Sequence, residues 1–288
     1  KFEATYQGNK IFGDGTISDL INPHLDFRIH TSDFKLEEAP MLTDLLKKRS
    51  ITGKLSTSFN VKWHLKDTSP LEIKGKAALK NGSYKFSFSP KAIKKINAKL
   101  DFSNKKITIK NALLSFGESE ANIRGEIVNF DKPVFNLRLK SKNLDLNPLL
   151  PEKARSIKEI NSLFKNSPLF LLTRGKIDLD AEKGQYLFLK VPHITGEIEL
   201  NNGLIKLNRM KVFFSKKYAF ADAFLDFLSD HGLDFSLKLH GRSFEVEEFE
   251  RVFEKYFKKS ITGKLSLATR LMGKGSNLNE ISKSLSGN

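Results

Sequence analysis

One seven-residue string, Ser-Ile-Thr-Gly-Lys-Leu-Ser, occurs twice in this 288-residue chain, at positions 50–56 and 260–266. The surroundings repeat as well. A segment in which apolar and polar residues alternate begins at Leu25 before the first string and at Phe235 before the second. In both copies the glycine of the string, Gly53 or Gly263, follows the start of that segment by 28 residues. A third, looser copy begins at Phe135. Repetition at this spacing predicts a tandem array of modules of about 100 residues, which is typical of an elongated protein and not of a compact enzyme.

Each copy contains segments in which apolar and polar residues alternate with a period of two. The segment that starts at Leu25, for example, reads Leu-Asp-Phe-Arg-Ile-His. This period places apolar side chains on one face of a strand and polar side chains on the other. The same reasoning predicts further strands at 2–6, 71–79, 84–88, 96–102, 105–109, 121–128, 175–180, 185–191, 195–200, 203–208, 211–215 and 263–271.

Turn signals separate these strands at short intervals, as at Asn81-Gly82 and Asn202-Gly203. Sequential short strands joined by tight turns predict an antiparallel meander. We therefore predict a mainly β fold in which 1–288 forms one elongated antiparallel sheet, with approximate repeat modules at 1–84, 85–192 and 193–288.

Short amphipathic helices are predicted as inserts within the repeats. Apolar residues recur at helical spacing in 40–48, 151–165 and 247–258, and again in 278–285. Asn277 and Glu280 have the spacing of a capping pair at the start of the last helix. The three inserts either cover an edge or bend of the sheet or line an apolar groove, and the sequence leaves both interpretations open.

The charge and the aromatic content indicate an amphipathic surface. The formal net charge is +16, and the chain has 24 Phe residues but only one Trp and five Tyr. The lysines either meet an anionic partner or form a solvated outer face. Because alternation places the phenylalanines on the strand face opposite the lysines, a nucleic-acid platform of basic and stacking residues is disfavoured, and we expect no nucleic-acid partner.

Motifs that carry catalysis or bind metals are missing from the sequence. The six histidines are scattered singly, and the absence of cysteine excludes thiolate sites and disulfides. The segment that starts at Asp178 resembles a calcium loop, but Lys183 and Leu189 stand where the loop needs Gly and Glu. We therefore expect no enzyme activity, no cofactor and no metal site.

The repeating unit resembles the AsmA-like family, which includes the TamB- and YhdP-type proteins of the bacterial envelope. The unit consists of an alternating strand, a step such as Leu144-Asp145-Leu146, a helical insert and Gly-Lys-Leu. The C-terminal segment, with Gly-Lys-Gly-Ser-Asn-Leu-Asn-Glu at 273–280 and Ser-Leu-Ser-Gly at 284–287, is similar to the end of the family's sequence pattern.

The resemblance implies a bridge-like lipid transfer protein. Such a protein has a long, U-shaped antiparallel β-sheet whose apolar inner groove carries phospholipid or another acyl lipid between the inner and outer membranes. It lies in the periplasm, tethered to the inner membrane. We expect this chain to be a fragment whose membrane anchor it does not include, with envelope proteins as further partners. The residues expected to line the groove are Leu25, Phe27, Ile29, Phe34, Leu36, Leu100, Phe102, Phe135, Leu137, Leu139, Leu144, Leu146, Phe235, Leu237, Leu239 and Phe244.

Two alternatives remain open at this level. The arms of the sheet could pack on each other as a closed β-sandwich that holds no ligand. The chain could then be a structural or assembly scaffold for outer-membrane or envelope proteins, offering its sheet edges to them.

Overall fold

The structure is a computed structural model with a mainly β fold and an open, unclosed antiparallel sheet. It describes residues 1–6, 9–19, 21–38, 51–64, 71–85, 91–145, 147, 161–162, 165, 168–186, 189–214, 217–245 and 262–288. Most of the predicted inserts at 40–48, 151–165 and 247–258 lie outside the described residues, as does most of the predicted strand at 84–88.

Eighteen strands are present in the described ranges. The first nine are β1 (Phe2–Tyr6), β2 (Asn9–Ser18), β3 (His24–Lys35), β4 (Thr52–His64), β5 (Glu72–Tyr84), β6 (Ile93–Ser103), β7 (Lys106–Phe116), β8 (Ser119–Val128) and β9 (Val134–Asp145). The others are β10 (Arg174–Ala181), β11 (Gly184–Tyr186), β12 (Leu189–Val191), β13 (His193–Asn201), β14 (Leu204–Phe214), β15 (Lys217–Asp226), β16 (Leu233–Glu245), β17 (Lys264–Gly275) and β18 (Ser286–Gly287). The helical elements are a 3₁₀ turn (Leu36–Glu38), α1 (Pro168–Leu172) and α2 (Leu278–Ser284).

The backbone contacts divide the chain into two compact units. The first unit contains 1–86, 92–115 and 122–131, and the second contains 87–91, 116–121 and 132–288. In the first unit, β1 to β7 pair in sequence order, each antiparallel to the next. β8 lies beside β7, where the Asn122 side-chain amide donates to Asn111 Oδ1 at 2.7 Å. The predicted meander is confirmed in this unit.

The second unit departs from the predicted meander at one point. β9 pairs in parallel with β10, where Gly175 lies opposite Phe135, and also in parallel with β11, where Gly184 lies opposite Leu144. β10 then pairs antiparallel with β13, and the strands from β13 to β18 continue as antiparallel neighbours. Parallel neighbours need a crossover of a dozen or more residues. The segment 146–173 between β9 and β10 is long enough for this, whereas a two-residue turn would not be.

The hairpin-like pairs β3–β4 and β16–β17, which contain the two identical strings, have the same register. Leu25 lies opposite Trp63 in the first pair, and Phe235 lies opposite Gly273 in the second. Phe235 follows Leu25 by 210 positions and Gly273 follows Trp63 by 210 positions, so the two pairs are aligned in the same way. A bulge falls at the same place in both pairs, before Phe34 in β3 and before Phe244 in β16. Both string glycines have a positive φ, +135° at Gly53 and +137° at Gly263.

Some strand predictions need correction. The sequence analysis missed β2, β4, β15 and the two-residue β18. The predicted strand at 185–191 is two short strands, β11 and β12, that pair antiparallel. The two strands predicted at 203–208 and 211–215 are one strand, β14, because a bulge between Leu207 and Met210 absorbs the break in alternation.

The last predicted helix is confirmed as α2. The Asn277 side chain accepts a hydrogen bond from the Glu280 backbone N–H at 3.0 Å, and its amide donates to Glu280 Oε1 at 2.7 Å. The Ser284 hydroxyl and the Lys274 N–H form a hydrogen bond of 2.8 Å that holds the end of the helix to β17. The C-terminal segment therefore closes part of the outer edge of β17.

Candidate functional site

A continuous apolar face crosses the first unit. In antiparallel pairs, residues directly opposite each other project from the same face of the sheet, so the register assigns the faces. One row of such residues crosses seven strands from β1 to β7. Its members are Phe2, Gly13, Ile29, Phe59, Gly75, Phe102 and Ile107. At about 4.8 Å per strand, this row extends about 30 Å across the sheet.

Neighbouring rows place the other predicted residues of β3 and β6 on the same face. Leu25 lies opposite Trp63 and Phe27 opposite Val61. Phe34 lies opposite Leu55 beyond the bulge. Leu100 lies opposite Ala77 in β5 and opposite Ile109 in β7. The structure thus brings Leu25, Phe27, Ile29, Phe34, Leu100 and Phe102 together on one face of one unit.

Phenylalanines on this face lie over glycines of the neighbouring strand. A Cβ added to Gly13 would lie 2.2 Å from Phe2 Cζ, and one added to Gly15 would lie 2.4 Å from Phe27 Cδ1. The third case is Gly75, which is flanked by Phe59 and Phe102, whose ring centroids are 6.1 Å apart. Because glycine has no Cβ, the phenylalanine rings can lie directly against the neighbouring backbone. The face is therefore aromatic and nearly flat at these positions.

The second unit has an apolar face of the same design. One row crosses the seven strands β9, β10, β13, β14, β15, β16 and β17. Its members are Phe135, Gly175, Leu200, Ile205, Leu225, Phe235 and Gly273. The next row continues from Leu137 to Leu237 and Leu271, and the third runs from Leu139 to Leu239. Phenylalanine again lies over glycine, since a Cβ on Gly175 would be 2.6 Å from the Phe135 ring.

Most of this apolar surface is neither buried nor fully exposed. In the alternating segments of β3 and β9, the apolar positions are half-buried and the polar positions between them are exposed. Ile17, Phe2 and Trp63, all on the apolar face of the first unit, are 56%, 43% and 40% exposed. A closed sandwich core would bury such residues, so the register and the burial together describe an apolar face that is accessible to solvent.

One part of the second unit is closed. Leu179, Ala181 and Met210 are 7%, 0% and 5% exposed and form a buried cluster. Leu139 and Leu144, which the sequence assigned to the groove lining, pack against this cluster. These two residues therefore contribute to a local core, and so do Ile198 and Leu207 of the row that begins at Leu137.

Three other predicted residues are not placed on the open rows. Leu36 is buried at the start of the 3₁₀ turn that follows β3. Leu146 lies outside the described residues. Phe244 pairs with Leu265 through the backbone, and its side chain is not among those described.

The opposite face carries charged side chains in cross-strand pairs. Lys62 Nζ lies 3.2 Å from Asp26 Oδ2 in the first unit, and Lys140 Nζ lies 3.2 Å from Asp180 Oδ2 in the second. Hydrogen bonds from His193 and from Lys140 lower the pKa of the Asp180 carboxyl below its usual value. These pairs are largely exposed, so each contributes little to stability, and their main effect is to keep this face in water.

A shallow depression of about 540 Å³ lies in the first unit. Most of its lining belongs to the charged face, including Lys74, Lys76, Asp101 and Thr108, and Phe59, Gly75 and Phe102 of the apolar row line it as well. Charged groups and hydroxyls at a solvated surface suit water and ions, whereas an acyl chain needs apolar contact. We therefore assign the candidate site to the apolar faces.

Several residues of the apolar faces were missed from the sequence. Phe59, Val61 and Trp63 alternate with polar residues in β4 and carry the same period-two signal that identified β3. Gly15 and Gly75 were missed for another reason, because a glycine gives no apolar signal and its place is revealed only by the phenylalanine that lies over it.

Within the described residues, no group of three or more His, Asp or Glu side chains is arranged to hold a metal ion. Among the same residues, no helix has the length and apolar character needed to cross a membrane. Searches against protein-family models, curated proteins and solved structures found no match to this chain.

Proposed function

We propose that this chain is a non-catalytic lipid-binding and lipid-transfer module of the AsmA-like type, whose apolar faces hold acyl chains. The observation that carries the proposal is the pair of continuous apolar rows, each of which crosses seven strands and has side chains that are partly exposed to solvent. The U-shaped groove, the tandem repeats and the periplasmic location tethered to the inner membrane are parts of the same proposal.

The energetics of an acyl chain support this use of the faces. A chain of about 16 carbons costs about 12 kcal/mol to expose to water, at about 0.8 kcal/mol per methylene. A carrier must replace nearly all of that hydration with apolar contact. Rows made mainly of Phe, Leu and Ile side chains provide this contact, which suits acyl chains of varied length and unsaturation.

The shared register of the two string-containing pairs supports a repeated construction. β3–β4 and β16–β17 have the same bulge and equivalent partners along their length. Such equivalence places the apolar rows at the same height in each pair. A lipid that moves along the protein would then meet a similar surface at each step.

A scaffold for envelope proteins is the second candidate, and the open sheet favours it because an open sheet has edges that can accept another strand. At β17, the C-terminal segment occupies part of one such edge, since Asn288 and Arg270 exchange backbone hydrogen bonds of 3.0 and 3.2 Å. The part of the β17 edge that this segment leaves uncovered is the surface that a client strand would use.

Native mass spectrometry of protein purified without detergent tests the proposal. We expect adducts whose masses and fragments are those of phospholipid or another acyl lipid. Delipidated protein should then extract fluorescent phospholipid from donor vesicles and deliver it to acceptor vesicles. A single apo mass together with no extraction from vesicles would refute lipid carriage and leave the scaffold as the better explanation.

A further inference from the structure

A group of aromatic side chains lies on the charged face of the second unit, at one end of β13, β14 and β15. Register places His193 opposite Phe213 and Phe213 opposite Tyr218. Lys211 lies opposite Phe220 two pairs further along β14 and β15. Met210 and Ala221, which belong to the apolar face, alternate with Lys211 and Phe220, so these five residues project from the other side of the sheet. We call His193, Lys211, Phe213, Tyr218 and Phe220 the aromatic patch.

The rings of the patch contact one another. The His193 and Phe213 rings stack with centroids 4.7 Å apart, and the Tyr218 and Phe220 rings meet edge to face at 4.9 Å. Phe213 and Tyr218, at 5.6 Å, join the two pairs. The Lys211 ammonium lies 5.5 Å from the centroid of the Tyr218 ring and 5.6 Å from that of Phe220. The patch is therefore a preformed surface with a cation held against it.

The patch is accessible and has cations around it. Tyr218 is 43% exposed, and Lys238 in β16, two residues from the His240 that lies opposite Phe220, is exposed on the same face. Two acidic side chains on the same face are already engaged, since Asp180 contacts Lys140 and His193, and Asp222 accepts a hydrogen bond from the Arg209 N–H at 2.8 Å. The exposed surface is thus aromatic with positive charge, which complements an anionic surface.

We propose that the aromatic patch docks the protein on the surface of an anionic phospholipid bilayer. Amphipathic aromatic rings beside lysines fit the headgroup region, where the rings contact the upper acyl carbons and the ammonium groups meet the phosphates. A single-stranded nucleic acid is a poorer fit. Base stacking requires free ring faces, and in this patch neighbouring rings and Lys211 already contact the rings.

This docking site is separate from the proposed lipid carriage. It uses the charged face of the second unit, whereas the acyl chains would lie on the apolar faces. A protein that carries no lipid could still dock through the patch, and a carrier could fail to dock, so the two proposals fail independently.

Vesicle flotation tests the proposal with two kinds of vesicle, one of phosphatidylcholine alone and one with 30% phosphatidylglycerol, a composition of the order used to mimic anionic membranes. We expect binding to the anionic vesicles that weakens as salt is raised. Tyr218→Ser should weaken it about fivefold through loss of one ring from the interface. Lys211→Gln combined with Lys238→Gln should weaken it on the order of 30-fold, at roughly 1 kcal/mol for each lysine.

The matched control is Phe12→Ser, because Phe12 is also an exposed aromatic residue and lies on the charged face, opposite His30 in the first unit. It should bind anionic vesicles like the unmodified chain. The patch variants should also keep their thermal unfolding temperature and their lipid content by native mass spectrometry.

Three results would overturn the proposal. The first is no binding to anionic vesicles. The second is binding that Tyr218→Ser and the double lysine variant leave unchanged. The third is a single-stranded oligonucleotide that binds with an affinity dependent on Tyr218 while vesicles do not bind, since the patch would then be a nucleic-acid site.

Discussion

Replacing Leu137 with aspartate would place a carboxylate in the middle of the apolar face of the second unit. Leu137 is half-buried and lies opposite Ile177 in the row that continues to Leu237. Asn136, one residue earlier, is exposed on the other face and lies opposite Lys176. The variants Leu137→Asp and Asn136→Asp therefore add the same charge to opposite faces of the same strand.

The expected cost follows from the burial. Losing the apolar contact of a half-buried leucine costs about 1 kcal/mol, and the partial desolvation of the new carboxylate adds about 1–2 kcal/mol. The free energy of unfolding should therefore fall by about 2–3 kcal/mol, which corresponds to a Tm decrease of about 6–9 °C for a chain of this size. Asn136→Asp should change the free energy of unfolding by less than about 0.5 kcal/mol, because its side chain is exposed beside a lysine.

The functional readout is the position of a bound lipid. A phospholipid with a photoreactive acyl chain is loaded on each variant and crosslinked, and the labelled peptides are identified by mass spectrometry. For Leu137→Asp, labelling of second-unit peptides should fall about tenfold, since about 1.4 kcal/mol of lost contact has that effect. Labelling of first-unit peptides serves as the internal reference, and Asn136→Asp should label like the unmodified chain.

Two outcomes would refute this reasoning. Equal labelling of the second unit in both variants would show that the apolar face does not hold the acyl chain. A loss of stability of about 4–5 kcal/mol or more for Leu137→Asp would show that Leu137 lies in a closed core. If the aspartate variant does not fold, Leu137→Ser gives a milder polar change at the same place, and its labelling decides between a lipid face and a core.

Three further predictions concern the fold and its termini. Gly75→Ala should lower the free energy of unfolding, measured by urea titration, by roughly 2–4 kcal/mol, because the added Cβ would lie 2.3 Å from Phe59 Cβ. The control is Gly184→Ala, whose added Cβ would have no neighbour closer than 3.6 Å and which should cost less than about 1 kcal/mol. Because the folded-state pKa of Asp180 is below its ordinary 3.8, ionised Asp180 stabilises the fold above pH 3.8, and this stabilisation is lost as the pH falls through the lowered pKa. Asp180→Asn should therefore remove this part of the acid dependence of Tm. An unchanged profile of Tm against pH would contradict this expectation. Asn277→Ala should remove the N-cap of α2, lower its stability by about 1 kcal/mol, and speed amide hydrogen exchange at the edge of β17 that the C-terminal segment covers. Unchanged hydrogen exchange at that edge would show that the cap does not hold the segment in place.

The candidate site was predictable where alternation is regular. Leu25, Phe27 and Ile29 were assigned to one face from the sequence, and the register places them there. The glycines under the phenylalanines were not predictable, since the signal that defines them is a ring on a neighbouring strand. The same limit applies to Leu139, whose alternation matches that of Leu137 although it packs on a buried cluster, as Leu144 does.

The sequence by itself determined the mainly β fold, the two faces of the strands and the equivalence of the two string-containing pairs. These properties are local, because a period of two fixes the side on which each residue lies and the identical string gives its glycine the same positive φ in both copies. Only the tertiary structure decided that β10 runs parallel to β9, that part of the apolar face is closed around Ala181, and that aromatic residues gather on the charged face. Each of these depends on which strands become neighbours after a connection, and periodicity along one strand carries no information about its neighbours.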